Sequence, residues 1–215
     1  MSSPINYLSN ITNIFYINLE HRTDRKEHVE NQLKSVGLSQ FERFNAIKNN
    51  NGAIGCSMSH LQCLLTAKER NYEHIFICED DITFLNPSLL INQINSFFLN
   101  NQEWDVVLVA GNNFNPYTTT DNNCIKVNNC QCATGYIVKN HYFDTLIDNF
   151  KTGLLGLLKE PNKHIIFALD QYWKLLQKKD KWYLIIPLTV TQKGDYSDIE
   201  KKNVNYRNGM LTINK

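Results

Sequence analysis

Three consecutive acids, Glu79, Asp80 and Asp81, follow directly on the apolar run His74-Ile75-Phe76-Ile77-Cys78. Such a run reads as a buried strand, and open α/β sheets place their ligands at the carboxyl ends of their strands. If the triplet stays extended, alternation puts Glu79 and Asp81 on one face and Asp80 on the other, so that two carboxylates can grip one ligand. Hard oxygen donors of this kind suit Mn²⁺ or Mg²⁺, which bridge diphosphate oxygens and offset charge on a leaving nucleoside diphosphate. The alternative is a solvated acidic turn. The acids alone do not separate phosphatases, nucleotidyltransferases and glycosyltransferases, all of which place carboxylates at strand ends.

A second constellation is Ile17-Asn18-Leu19-Glu20-His21-Arg22-Thr23-Asp24-Arg25. It leaves a first strand, Asn13 to Asn18, and enters a helix capped by Thr23 and Asp24, with Val29, Leu33 and Val36 at i, i+4 and i+7 and Gly37 as its stop. Backbone donors at that helix start, with Arg22 and Arg25 beside them, can hold phosphate or a base edge; exposed arginines on a polar helix face are the alternative. The third is Gly52-Ala53-Ile54-Gly55-Cys56-Ser57-Met58-Ser59-His60, where two glycines permit close backbone approach before a helix begins near Cys56. Ser59 and His60 are neighbours, so their side chains diverge on a helix and do not form a nucleophile and base dyad. His60 then reads as a supporting or acceptor-side group, or as a core histidine.

The elements that must position these groups alternate. Strands are expected at 41–45, 74–78, 105–109, 133–139 and 183–186, and helices at 56–70 (Met58, Leu61 and Leu65 inward), 87–99, 142–150 and 169–177. Gly111 to Asn123 reads as a surface loop. Alternation of this kind implies a three-layer α/β fold with a mostly parallel sheet, in one domain over 1–215 with its core at about 13–200.

Composition narrows the partners. With 22 Lys and Arg against 21 Asp and Glu, the net charge of +1 gives no electrostatic case for nucleic acid. Met1 to Asn10 lacks a basic region followed by an apolar run, and no segment reaches the ~18 consecutive apolar residues of a membrane span. A cytoplasmic chain is expected, with peripheral membrane contact and a homo-oligomer left open. The cysteines at 56, 63, 78, 124, 130 and 132 fit a reducing compartment, and Cys124, Cys130 and Cys132 lack the paired spacing of a zinc site.

Taken in order, these segments resemble the family 25 glycosyltransferases, which include lipopolysaccharide sugar transferases and the galactosyltransferase domains of collagen-modifying enzymes. The family-like pieces are Ile17-Asn18-Leu19 with Arg22 and Arg25, Gly55-Cys56 with Ser59-His60, and Glu79-Asp80-Asp81. Downstream follow Ala133-Thr134-Gly135-Tyr136, Asp170 within Leu169-Asp170-Gln171-Tyr172-Trp173, and Gln192 with Ser197-Asp198-Ile199. The resemblance implies a Rossmann-like A-type glycosyltransferase fold, a UDP-sugar donor, Mn²⁺ (or Mg²⁺) dependence and inversion at the anomeric carbon. It assigns Glu79 and Asp81 to the metal, and sets Asn18, Leu19, Arg22, Arg25, Ser59, His60, Asp80, Gln192, Ser197 and Asp198 around the donor.

In-line attack by an acceptor hydroxyl needs a base, and Asp170 is the candidate; an N-cap aspartate is its other reading. The chain is short for the family and lacks the further domains of the collagen-directed members, so the acceptor is left as a glycan, a lipid-linked glycan or a protein. A non-catalytic nucleotide-sugar or glycan-binding protein on the same fold is the alternative from another class. A nucleotidyltransferase or phosphatase is disfavoured because no glycine-rich phosphate loop is present.

Overall fold

The computed structural model describes residues 5–101, 103–213 and 215. In chain order, β1 (Ile14–Asn18) leads into α1 (Thr23–Ser35), β2 (Glu42–Asn45) into α2 (Gly52–Glu69), and β3 (His74–Glu79) through a short turn into β4 (Ile82–Phe84). Next come α3 (Pro87–Asn100) and β5 (Val106–Leu108), then four short strands, β6 (Asn112–Asn113), β7 (Tyr117–Thr119), β8 (Cys124–Val127) and β9 (Cys130–Gln131). The strand β10 (Gly135–Lys139) precedes α4 (Phe143–Lys159) and three short helices, α5 (His164–Phe167), α6 (Leu169–Tyr172) and α7 (Lys174–Gln177). The chain closes with β11 (Trp182–Ile185), β12 (Val190–Gln192), the hairpin β13 (Asp195–Ser197) and β14 (Lys202–Val204), and α8 (Arg207–Met210).

The main sheet has eight strands in the order β2-β1-β3-β10-β5-β11-β8-β7. Six run the same way, as expected of a mostly parallel sheet; β10 and β8 are reversed. Every residue of β1 and nearly every one of β3 is buried, because helices cover both faces. Alternation sorts them: Phe15, Ile17, Ile75 and Ile77 pack with residues of α2, α4, α6 and α7, while Ile14, Tyr16, Phe76 and Cys78 pack with those of α1 and α3. These three layers form the Rossmann-like A-type α/β arrangement.

Several boundaries differ from the sequence reading. The helix expected from Cys56 starts at Gly52, because Asn51 caps it, accepting from the Ala53 and Ile54 amides. Its buried face is Ile54, Ser57, His60, Leu61 and Leu64, with Met58 and Leu65 only half-buried. The expected Thr23 and Asp24 cap of α1 is not used: Arg22 is the N-cap residue, and Asp24 is drawn off by its guanidinium. The helix expected to stop at Phe150 runs to Lys159, its Gly153 and Gly156 lying under Phe167 and Tyr172. The expected loop at 111–123 contains β6 and β7, and β7 forms one edge of the main sheet. All six cysteines are free thiols. Among the described residues no helix is long and apolar enough to cross a membrane.

His28 ties α1 to β4, its Nε2 lying 3.0 Å from the Ile82 carbonyl oxygen and 3.1 Å from Thr83 Oγ1. Burial pushes its imidazole below the ordinary range, and does the same to His74. A histidine whose folded value is depressed binds a proton first in the unfolded chain, so stability is full above the unfolded value of about 6.5 and is lost as pH falls through it. The urea midpoint is therefore expected to drop between pH 7 and pH 5, and His28→Gln to flatten part of that slope. A midpoint independent of pH over this interval would contradict the assignment.

Candidate active site at the end of strand β3

Only the first of the three acids continues the strand. β3 ends at Glu79, and Asp80 and Asp81 form the turn into β4, which pairs with β12 so that Ile82 lies opposite Gln192. The extended triplet expected from alternation is thus replaced by a turn, and each acid receives different company. Asp80 accepts from Asn18 Nδ2 at 2.7 Å and from Arg25 Nη1 at 3.1 Å. The same Arg25 nitrogen lies 3.3 Å from Asp81 Oδ2, and Arg25 Nη2 donates to the Tyr196 carbonyl at 2.9 Å. Asp81 Oδ1 is buried and has no partner. Glu79 Oε2 accepts from Gln192 Nε2 at 3.2 Å, while its Oε1 stands 3.6 Å from Cys56 Sγ and 3.7 Å from His60 Nε2.

These surroundings push the acids apart. Burial, followed by the charge of Glu79, raises Asp81 well above the carboxylate range. Burial also opposes the charge of Glu79, but His60, Cys56 and Arg25 outweigh it and hold that carboxyl below its usual value. Burial raises Asp80 despite Arg25 and Asn18. Neighbouring carboxylates with divergent proton affinities are a common mark of a functional site.

The arginines expected to face phosphate are committed elsewhere. Arg22 binds both oxygens of Asp24 at 2.9 and 3.0 Å, Asp198 at 2.7 Å and Asp195 at 3.2 Å. Together Arg22 and Arg25 fasten the β13–β14 hairpin to the start of α1. Asp198 also lies 3.7 Å from His21, and Ser197 Oγ accepts from the Glu200 amide at 3.1 Å, closing the hairpin turn. Asn18, at the end of β1, is held by Arg43 as well as by Asp80, and the Leu19 carbonyl accepts from the Arg22 amide. Ser59 is buried within α2, bonded to the Gly55 carbonyl and the Ile47 amide at 2.8 Å each, so it braces the preceding loop rather than lining a donor pocket. Gly55 admits that loop, because a Cβ there would stand 2.6 Å from the Ile47 carbonyl oxygen. His60 and Ser59 diverge as adjacent helical residues must, and His60 turns to Tyr136 and Glu79.

Asp170 sits in the first turn of α6, whose N-cap residue is Ala168, so the N-cap reading of this aspartate does not hold. Its Oδ2 accepts from the Cys132 amide at 3.0 Å, and Cys132 adopts a left-handed φ of 78° to present that amide. Burial, reinforced by the charge of Glu79, raises the Asp170 carboxyl. Burial raises the half-buried Cys132 thiol, and the charges of Asp170, Glu79 and Asp81 add to that rise.

The sequence reading missed Cys56. With His60 it occupies i and i+4 of one helix, a spacing that faces both side chains the same way, and with Glu79 it brings three ligand atoms within 4.8 Å of one another. Cys124, Cys130 and Cys132 form no such group among the described residues.

Residues 50–155 match glycosyltransferase family 25 (LPS biosynthesis protein), a span containing α2, the acidic turn and β10. No curated protein matches the sequence. Among solved structures, A197 from STIV aligns at 12% identity with a TM-score of 0.50, covering 90% of this chain and 93% of its own, a likeness of fold alone. A glycosyltransferase involved in the glycosylation of the major capsid of PBCV-1 aligns at 13% identity with a TM-score of 0.43, over 82% of this chain and 93% of its own.

Removing the guanidinium leaves Asp80 and Asp81 buried without their cation. Arg25→Met is expected to lower the unfolding free energy by about 3–5 kcal/mol, the usual cost of stripping one partner from a buried ion pair, read from urea denaturation. A change below about 1 kcal/mol, the size typical of an exposed pair, would mean that the pair does not organise the turn.

Proposed function

We propose that this family 25 glycosyltransferase moves a sugar from a UDP-sugar to a hydroxyl of a glycan, lipid-linked glycan or protein acceptor, with inversion at the anomeric carbon. One domain over 1–215 carries the whole site. The observation that supports this reading best is Asp81 Oδ1, buried and unpartnered beside Glu79 at the end of β3. A buried acceptor without a donor costs about 1–3 kcal/mol, and a divalent cation shared by Glu79 and Asp81 removes that cost. Two carboxylates are hard oxygen donors, which fit Mn²⁺ or Mg²⁺. When bound, the ion offsets negative charge developing on the leaving nucleoside diphosphate.

The protein's own groups divide the remaining work. Gln192 steadies Glu79 by donating to its Oε2. The β13–β14 hairpin, fixed by Arg22 and Arg25, carries Ser197 and Asp198 beside the start of α1, on the donor side. Asp170 accepts the proton of the attacking hydroxyl. Its raised proton affinity makes it a stronger base than an ordinary aspartate, and the Cys132 amide fixes its orientation. The base must be ionised to act, so the transfer rate falls as pH drops through the elevated Asp170 value, above the ordinary value of about 4.

Calorimetric titration with UDP and UDP-sugars, with and without Mn²⁺, tests the donor. Binding is expected to vanish on chelation and in Asp81→Asn. Asp170→Asn is expected to keep donor binding and to slow transfer on the order of 10²-fold or more. Normal turnover by Asp170→Asn would remove it as the base, and absence of all nucleotide binding would sink the transferase reading in favour of glycan binding.

A further inference from the structure

We infer that Cys56, His60 and Glu79 form a second divalent-cation site, of the thiophilic class typified by Zn²⁺, which shares Glu79 with the carboxylate pair Glu79 and Asp81 and adds a thiolate and an imidazole to it. Its existence does not rest on the donor reading. The helix α2 carries Cys56 and His60 one turn apart, directed at the last residue of β3, and the ligand atoms of all three lie within 4.8 Å of one another. Tetrahedral zinc, with bonds of about 2.3 Å to sulfur and about 2.0–2.2 Å to nitrogen and oxygen, sets neighbouring donor atoms roughly 3.4–3.6 Å apart. The observed separations are 3.6 Å for Cys56 Sγ to Glu79 Oε1 and 3.7 Å for His60 Nε2 to the same oxygen. Both separations from the Glu79 oxygen are thus already close to those of a bound ion, and the third, from sulfur to nitrogen, lies within 4.8 Å.

The second observation is His60 itself. It is fully buried at 0% exposure, and its Nε2 has no hydrogen-bond partner. Its other nitrogen, Nδ1, is 3.1 Å from Tyr136 Oη, and the two rings stack at 5.7 Å. When Nδ1–H donates to that oxygen, the Nε2 lone pair is left facing Glu79, where two acceptors stand together with nothing between them. An outer hydrogen bond of this sort is how proteins fix the tautomer and orientation of a metal-ligating imidazole. Sulfur and imidazole donors select zinc-class ions over Mn²⁺ or Mg²⁺. On metal entry the Cys56 thiol releases its proton to solvent, giving a thiolate, imidazole and carboxylate set with the fourth position open to water.

Cobalt reports such a site directly, because a thiolate ligand gives Co²⁺ a charge-transfer absorption in the near ultraviolet and four-coordination gives intense visible bands. The full chain, stripped with chelator and kept reduced, is titrated with Co²⁺ alone and then with Zn²⁺. One equivalent of cobalt with both features, displaced by Zn²⁺, is expected. Cys56→Ser and Cys56→Ala, checked for native circular dichroism, are expected to lose the charge-transfer band, whereas Cys124→Ala, on the far side of the sheet, keeps it. Asp81→Asn, which the donor reading expects to lose nucleotide binding, also keeps the band. Absence of the band in the native chain, or its survival in folded Cys56 variants, overturns the proposal. Its loss in folded Asp81→Asn overturns it as well, by making Asp81 a ligand of the same ion, so that one site stands in place of two.

Discussion

Three carboxylates in succession at the end of a buried strand repel one another and resist desolvation, and Arg25 is what allows them to be there. One guanidinium touches Asp80, Asp81 and the Tyr196 carbonyl, and is itself buried. Its worth lies less in net stability, since buried ion pairs often do little better than apolar replacements, than in geometry. It joins the start of α1, the turn after β3 and the C-terminal hairpin into one assembly. Asn18 completes the arrangement by donating to both the Arg22 carbonyl and Asp80.

Neutralising the acids unequally is what leaves chemistry over. Asp80 has two donors and is spent on structure. Asp81 has one oxygen on Arg25 and the other unpartnered, and Glu79 accepts from the Gln192 amide and, weakly, from the Cys56 thiol, with His60 Nε2 3.7 Å away. A row of like charges thus becomes a buried support, a carboxylate with one unpartnered oxygen and a carboxylate held by weak neutral donors, through contacts made by four separate segments. Arg22 repeats the same device one turn earlier on the outer side, where Asp24, Asp195 and Asp198 surround it.

What could be read from the sequence was local. The apolar run before the acids fixed β3, the spacing of Val29, Leu33 and Val36 fixed α1, and Gly37 at a φ of 79° ends it as its type foretold. The roles of Arg22 and Arg25 were not legible, because their partners Asp195, Tyr196 and Asp198 lie more than 170 residues away. The reversal of β10 was equally hidden: a strand buried on both faces shows the same apolar run whichever way its neighbours point. The strands β12 to β14 are three residues each and polar in part, too short for a period of two to register. Ser59 was set near the donor by the family resemblance alone, and its back-bonding to the carbonyl four residues earlier, an ordinary use of serine within a helix, leaves no sequence signal of its own.

The placement of Asp170 follows from the same economy of contacts on the opposite side of the site. Gly153 and Gly156 leave no Cβ between α4 and the segment of α5 and α6, so Phe167 and Tyr172 come down onto the helix. That descent seats Trp173, whose indole donates to the Cys130 carbonyl at 2.8 Å, while the Gln177 amide accepts from the Cys130 amide and donates to its carbonyl, also at 2.8 Å. With β9 clamped in this way, Cys132 two residues on is held in its left-handed conformation, which costs a non-glycine residue on the order of 1–3 kcal/mol. The strain persists because the clamp over-determines it, and its product is an amide aimed at Asp170 Oδ2. The helical segment that carries the carboxylate therefore also positions the donor that orients it. Asp170 and Cys132 are in this sense one unit, and a displacement of α6 would carry the aspartate and the clamp on β9 together.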